Sequence, residues 1–72
     1  MSEVVARSVH TQHDGVWTVK VVVADDFRSY RVESEVVTDQ KSSVQVLGPF
    51  KRLMEAVEEA ERTYRGHTLL LV

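Results

Sequence analysis

Residues 16–38 alternate between apolar and polar side chains in the way that is typical of two paired β-strands. Val16 to Ala24 is rich in β-branched residues, and its odd positions from Trp17 to Val23 form a continuous apolar face. A second strand is predicted from Ser29 to Thr38, where the alternation resumes. Asp25 to Arg28 is typical of a tight turn, because aspartate bonds readily to nearby backbone amides.

Two further strands flank this hairpin. Val44 to Leu47 predicts a short strand of the same meander, and Val4 to Gln12 predicts an N-terminal one. The N-terminal strand joins the hairpin through residues 13–15, where Asp-Gly is a strong turn signal. A two-residue turn would put Ser8 and His10 on the apolar face, and a one-residue slip reverses every side chain. A three-residue turn is preferred, because it directs a different set of side chains of the N-terminal strand to the apolar face. These are Val5, Arg7 and Val9.

Gly48-Pro49 interrupts the strand pattern, and apolar residues then recur every three or four positions, which indicates an amphipathic helix over residues 49–65. Pro49 suits the first helical position, and Gly66 suits the position just past the last turn. Glu61 falls beside the apolar stripe, where pairing with Arg65 or exposure would explain it. The stripe consists of Phe50, Leu53, Met54, Val57, Ala60 and Tyr64.

The predicted fold is α+β: a two-layer sandwich of an antiparallel meander of about four strands and one C-terminal helix packed on one face. Residues 67–72 could add a short terminal strand, which gives the order β-β-β-β-α-β. A chain of 72 residues has room for one domain, with the meander at 4–47 and residues 1–3 disordered. The predicted core consists of Trp17, Val19, Val21, Val23, Tyr30, Val32, Val36, Val44 and Val46 against Phe50, Leu53, Met54, Val57 and Tyr64.

Composition narrows the classes of function. Nine Lys and Arg residues against eleven Asp and Glu give a formal net charge of -2, which disfavours general binding to a phosphate backbone. The absence of cysteine excludes disulfides and Cys-based zinc ribbons. The longest apolar run, residues 69–72, is far too short for a membrane span, and no secretory signal is recognisable, so a cytoplasmic location is expected.

Residues able to carry catalysis or bind a metal are sparse. His10 and His13, beside Asp14 and with His67 distant in the chain, form the one conceivable metal constellation, but residues three apart on a strand point to opposite faces. Glu33 shares a flat sheet face with another glutamate, where little desolvation is available to shift a pKa. We therefore predict no catalytic, cofactor-binding or metal-binding residue.

One helix covers one face of a sheet, so apolar residues on the other face and in the tail are candidates for an interaction surface. The first functional hypothesis is a small non-enzymatic protein-interaction module that self-associates, as a homodimer for example, through a sheet edge or the second sheet face. The terminal segment would pair within the chain or with another copy. The candidate interaction residues are Val22, Val37, Leu47, Leu69, Leu70, Leu71 and Val72.

The alternative hypothesis is a small regulator that contacts nucleic acid through a local basic patch. Lys51 and Arg52 lie in the first predicted helical turn, where the helix dipole disfavours cations, and Arg28 and Arg31 could extend the patch. In shape alone, the order of elements resembles double-stranded-RNA-binding-like folds, which also occur in small antitoxin-type proteins. A likeness of shape implies no function by itself.

Overall fold

The computed structural model describes residues 3–72 and confirms the predicted fold class. Four antiparallel strands precede one helix and a two-residue strand, and the helix packs on one face of the sheet. The elements are β1 (Glu3–Gln12), β2 (Gly15–Val23), β3 (Tyr30–Thr38), β4 (Ser42–Phe50), α1 (Leu53–Thr63) and β5 (Leu70–Leu71).

The five strands form one sheet in the order β4-β3-β2-β1-β5, so β4 and β5 are its edges. We call the face beneath α1 the covered face and the opposite one the open face. Val19 and Val21 of β2 and Val32 of β3 lie on the covered face and have no exposed surface. The sheet is therefore apolar where the helix crosses its centre, as the alternation of β2 predicted.

The β1–β2 hairpin has a two-residue turn, so the preferred three-residue register is wrong. Gln12 pairs with Gly15, which places Ser8 beside Val19 and His10 beside Trp17 on the covered face. Gly15 begins β2, where a Cβ would overlap the Val37 carbonyl oxygen. Close approach of β3 therefore requires glycine there. Val9 is 49% exposed and Arg7 is exposed, both on the open face, while Val5 is the extra residue of a bulge.

Strand β4 runs to Phe50, which corrects the prediction that Pro49 opens the helix. Tyr30 pairs with Phe50 and Val32 with Leu47, so Gly48 and Pro49 together oppose a single residue of β3 in a bulge. Gly48 has a φ of +124°, which favours glycine. Proline, which has no N–H to donate, is tolerated at such a bulge of an edge strand because no ladder hydrogen bond is needed there.

Helix α1 is consequently shorter than the predicted 49–65. It begins at Leu53, after Arg52 as N-cap, and ends at Thr63, where the backbone N–H of Tyr64 still donates to the Ala60 carbonyl at 2.8 Å. Its buried residues are small, namely Ala56, Val57 and Ala60. Small side chains let the helix axis lie close to the sheet.

Several members of the predicted core are exposed. Val44 and Val46 are 63% and 55% exposed because the register of β4 turns them to the open face, and Met54 is 58% exposed beside the helix stripe. The buried cluster instead comprises Ala6, Val19, Val21, Val32, Ala56, Val57, Ala60, Tyr64 and Leu69, with Val5, Trp17, Tyr30, Leu47, Phe50 and Leu53 packed against it.

The terminal segment pairs within the chain. Leu70 and Leu71 pair with Arg7 and Ala6 of β1, and the N–H of Val72 donates to the Val5 carbonyl at 3.1 Å. At the other terminus, the predicted disorder of residues 1–3 is wrong for the third residue, which begins β1. Residues 1–2 lie outside the described residues.

Candidate interaction surfaces

The open face has charged residues at its centre. Glu33 of β3 accepts a hydrogen bond from Arg31 Nε at 2.7 Å and lies 3.7 Å from Lys20 Nζ of β2. This hydrogen bond raises the pKa of the Arg31 guanidinium. Three charges therefore neutralise one another in part at the centre of the face on which Val22 and Val37 were predicted to form an interaction surface.

Exposed valines surround this charged centre. Val16 and Val37 form a cross-strand pair. Val9 lies opposite Thr18, and Thr18 and Glu35 separate Val9 from Val44 of β4. We call these side chains, all at least 39% exposed, the open-face valines: Val9, Val16, Val37, Val44 and Val46. Isolated surface valines are ordinary on a sheet, so their number alone defines no binding site.

The outer edge of β4 is the least protected part of the sheet. Its nine residues, SSVQVLGPF, carry no charge, and no strand within residues 3–72 pairs with that edge. Its exposed valines, Val44 and Val46, alternate with polar residues. Lys41 precedes the strand and Lys51 follows it. Natural edge strands usually carry a charge, a proline or a bulge that blocks pairing, and β4 has its bulge only at the end, at Gly48-Pro49.

A hydrogen-bonded turn sets the register of β4. The N–H of Thr38 donates to the Lys41 carbonyl at 2.8 Å, and the Thr38 hydroxyl donates to the same carbonyl at 3.1 Å. That hydroxyl also accepts from the backbone N–H groups of Gln40 and Lys41. Val37 consequently pairs with Ser42, which fixes which side chains of β4 face outward.

The predicted interaction residues fall in three different places. Val22 is on the open face but only 2% exposed, and Leu69 is buried at 8%, so neither offers surface to a partner. Leu47 pairs with Val32 on the covered face, which corrects its predicted position on the open face. The exposed members are Val37, Leu70, Leu71 and Val72, at 43%, 70%, 68% and 79%.

A cluster of aromatic and histidine rings anchors the tail on the covered face. His67 stacks on His10 with ring centroids 3.9 Å apart, and the Trp17 ring meets it edge-on at 4.4 Å. Nδ1 of His67 lies 2.9 Å from the Ser8 hydroxyl, and the residue is 3% exposed. Burial lowers the pKa of His67, and the neighbouring His10 lowers it further. Both effects favour the neutral form of the imidazole.

Polar groups beneath the helix are tied to one another. Trp17 Nε1 donates to the Ser34 hydroxyl at 2.9 Å, and the Tyr64 hydroxyl donates to Gln45 Oε1 at 2.8 Å. Burial raises the pKa of Tyr64, and a hydrogen bond with Ser34 opposes the rise. The first bond joins β2 to β3, and the second joins the end of α1 to β4.

The structure brings His10 to His67 and leaves His13 in the exposed hairpin turn. Stacked parallel imidazoles direct their nitrogen lone pairs side by side, so His10 and His67 cannot converge on one ion at the usual distance of about 2 Å. Within residues 3–72 no group of three or more His, Asp or Glu side chains could hold a metal.

The predicted basic residues lie at one end of the sheet. Arg28 is in the β2–β3 turn, and Lys51 and Arg52 follow Phe50, which pairs with the first residue of β3. Arg31 is already held by Glu33. Asp26 lies in the same turn, where it accepts a hydrogen bond from the Arg28 backbone N–H at 2.9 Å. Binding of nucleic acid by this mixed surface stays a prediction.

Val44 and Val46 of the β4 edge are not among the interaction residues predicted from the sequence. The signal was present, since residues 42–50 form the longest β-compatible segment without a charge between two lysines. It was overlooked because Gly48-Pro49 was interpreted as the end of the strand.

No family model, curated protein or solved structure matches this chain. In the described part of the chain, no helix has the length and apolar character needed to cross a membrane.

Proposed function

We propose that this protein is a small non-enzymatic interaction module that self-associates by adding strands at the open edge of β4. The observation that carries the proposal is the edge itself: nine uncharged residues, with Val44 and Val46 more than half exposed, unpaired within residues 3–72. Backbone groups at such an edge are ready to pair with another chain.

A binding role is favoured over catalysis by the buried position of a nucleophile–base pair, Ser8 and His67. Ser8 and His67 are within hydrogen-bond distance, at 2.9 Å, but they are 9% and 3% exposed beneath the helix and the tail. A substrate would have to displace the terminal segment to reach the Ser8 hydroxyl. Like the expected cytoplasmic location, the absence of catalysis is a prediction.

The experiment that tests this function compares two surfaces by light scattering after size exclusion. The double variant Val44→Lys, Val46→Lys places two charges along the β4 edge, and Val9→Lys places one on the open face far from that edge. All three positions are exposed, so folding should be retained. We expect the full chain to run above its monomer mass of 8.2 kDa, the double variant to run as a monomer and Val9→Lys to behave like the parent.

Other outcomes contradict the proposal in different ways. A parent chain that stays monomeric at high micromolar concentration excludes self-association. Loss of association in Val9→Lys with retention in the double variant would assign the interface to the open face. Salt-sensitive binding to duplex RNA or DNA that weakens in Lys51→Glu would favour the nucleic-acid alternative.

A further inference from the structure

We propose that residues 67–72 form a strap that leaves the sheet when His67 takes up a proton, while the meander and α1 stay folded. Release of the strap uncovers the β1 edge, because β5 lies within the strap and is the strand that pairs with that edge. The proposal concerns a single chain, so it goes beyond the proposed function and does not depend on self-association.

Two buried side chains hold the strap on the covered face. His67 is 3% exposed and Leu69 is 8% exposed, whereas the four other residues of the strap are exposed. The N–H of Val72 adds a backbone hydrogen bond to the Val5 carbonyl at 3.1 Å. Gly66, at a φ of +93°, joins the strap to the turn after α1, and a glycine changes its backbone angles at little cost. The attachment of the strap therefore depends on few side chains, one of which can change its charge.

The surroundings of the His67 ring fit a neutral imidazole. Nδ1 lies 2.9 Å from the Ser8 hydroxyl, and Nε2 is buried without a hydrogen-bond partner among residues 3–72. A neutral ring can bond to Ser8 in either tautomer, because a hydroxyl both donates and accepts. A protonated ring carries an N–H at both nitrogens, so Nε2 becomes a charged donor that has no acceptor. Burial of such a group costs much more than burial of a neutral one, and release of the strap into water removes that cost.

The rings that contact His67 provide no negative charge to offset a proton. From β1, His10 stacks on the ring with centroids 3.9 Å apart, so a proton on His10 places a second positive charge against His67. From β2, Trp17 packs against the ring at 4.4 Å and carries no charge. Burial lowers the pKa of His67 most, and His10 lowers it further.

The other elements bring neutral or hydrogen-bonded groups to this cluster. Strands β3 and β4 reach it through Ser34 and Gln45, which carry no charge. At the end of α1, Tyr64 donates to Gln45, and burial raises the pKa of its hydroxyl. Within α1, the Glu61 carboxylate contacts the strap by accepting a hydrogen bond from the Leu69 backbone N–H at 2.9 Å. The experiment therefore has to separate protonation of the buried imidazole from protonation of this carboxylate.

Proton uptake and release of the strap are linked. An imidazole in water has a pKa near 6.5, and burial holds the pKa of His67 below this value while the strap is closed. The closed state is therefore fully favoured above pH 6.5. Below it the opening constant rises, with a slope that approaches about tenfold per pH unit for one proton, until the pKa of the closed state is reached.

Amide hydrogen exchange of the full chain, followed by NMR from pH 7.5 to pH 5, measures the opening constant once the intrinsic exchange rate is corrected for. We expect the opening constant at the amides of Leu69 and Val72 to rise at least about fivefold over this range. At pH 5 it should exceed that of amides at the centres of β2 and α1 by at least about tenfold, because only the strap opens. A strap whose opening constant does not rise with acid, or equals that of β2 at every pH, overturns the proposal without any variant.

Matched variants assign the proton. His67→Gln keeps a side chain that can bond to Ser8 but does not titrate, so its opening constant should change less than about twofold across the pH range. Glu61→Gln keeps an acceptor for the Leu69 N–H without the carboxylate and should show the parent's rise. His13→Gln, in the exposed turn, is the control for loss of a histidine and should match the parent. A full rise in His67→Gln, or loss of the rise in Glu61→Gln, assigns the proton to another group and overturns the proposal.

Discussion

The two edges of the sheet are treated in opposite ways. At the β1 edge the chain returns after α1 and adds β5, so that Ala6 and Arg7 have strand partners. At the β4 edge no segment of residues 3–72 adds a strand. This edge is nine residues long, whereas β5, the strand that covers the other edge, has only two residues. An edge is therefore covered where side-chain contacts hold a covering segment in place. The length of the edge strand does not decide it.

The β1 edge is held by side chains that precede β5. His67 fills a site between His10 and Trp17, and the Glu61 carboxylate accepts a hydrogen bond from the Leu69 backbone N–H at 2.9 Å. This bond explains the position of Glu61 beside the apolar stripe, where pairing with Arg65 was one expectation. The exposed leucines of β5 contribute little burial of their own, so the anchor lies upstream of the strand.

Removing His67, the buried anchor, should have the largest effect on the difference between the covered β1 edge and the open β4 edge. His67→Ala deletes both ring contacts and the Ser8 hydrogen bond and leaves a cavity. We expect it to lower the free energy of unfolding by about 2–3 kcal/mol in urea denaturation. His13→Ala, in the exposed turn, is the control and should stay within about 0.5 kcal/mol of the parent. Equal stability of the two variants would show that the tail is held by other contacts.

Removing the backbone anchor should cost less. Glu61→Ala leaves the Leu69 N–H without its charged acceptor, for an expected loss of about 1–2 kcal/mol and faster hydrogen exchange at the amides of residues 69–72. Glu58→Ala, exposed on the same helix, should change neither quantity by a comparable amount. Unchanged exchange in Glu61→Ala would contradict a role of this carboxylate in closing the β1 edge.

Deleting residues 70–72 should make the two edges alike. The loss of β5 removes a few solvent-exposed backbone hydrogen bonds, which we expect to reduce the free energy of unfolding by about 1 kcal/mol. The freed β1 edge then gives each molecule two open edges, and sedimentation velocity should show species larger than those of the parent. If the shortened chain keeps the parent's oligomeric state, an open edge is insufficient for association in this fold.

Acidification should weaken only the β1 edge, which β5 closes. We expect this effect to be smaller than the effects of the substitutions and of the deletion. The pKa of His67 is lowered in the folded state by burial, so its stabilisation is complete above the unfolded value near 6.5 and is lost as pH falls below it. Urea midpoints from pH 7.5 to 5 should therefore decline more steeply for the parent than for His67→Gln. His13→Gln should follow the parent, and identical profiles for all three chains would contradict the buried neutral imidazole.

Much of the fold could be predicted from local patterns. Val19 and Val21 at odd positions of β2 are buried as predicted, and the helix stripe is correct at Val57, Ala60 and Tyr64. The prediction was wrong where two patterns compete. Pro49 suits a helix start and an edge-strand bulge equally well, and Asp14-Gly15 is compatible with turns of two or three residues, so the local sequence does not separate them.

The candidate site was harder to predict than the fold. Val44 and Val46 alternate correctly for a strand, but alternation does not reveal which face is covered. His67 was interpreted as part of the last strand because its partners, Ser8 and His10, are almost the whole chain away. Contacts of that separation leave no local signal.

By itself, the sequence determined the class and order of the elements, because β-branched alternation, the three-and-four spacing of α1 and the Gly66 stop are all properties of neighbouring residues. Only the tertiary structure decided which face of β4 is covered, which histidines meet and which edge stays open. These depend on strand register and on the return of the tail, and both are set by bonds between residues far apart in the chain, such as His67 to Ser8 and Leu69 to Glu61.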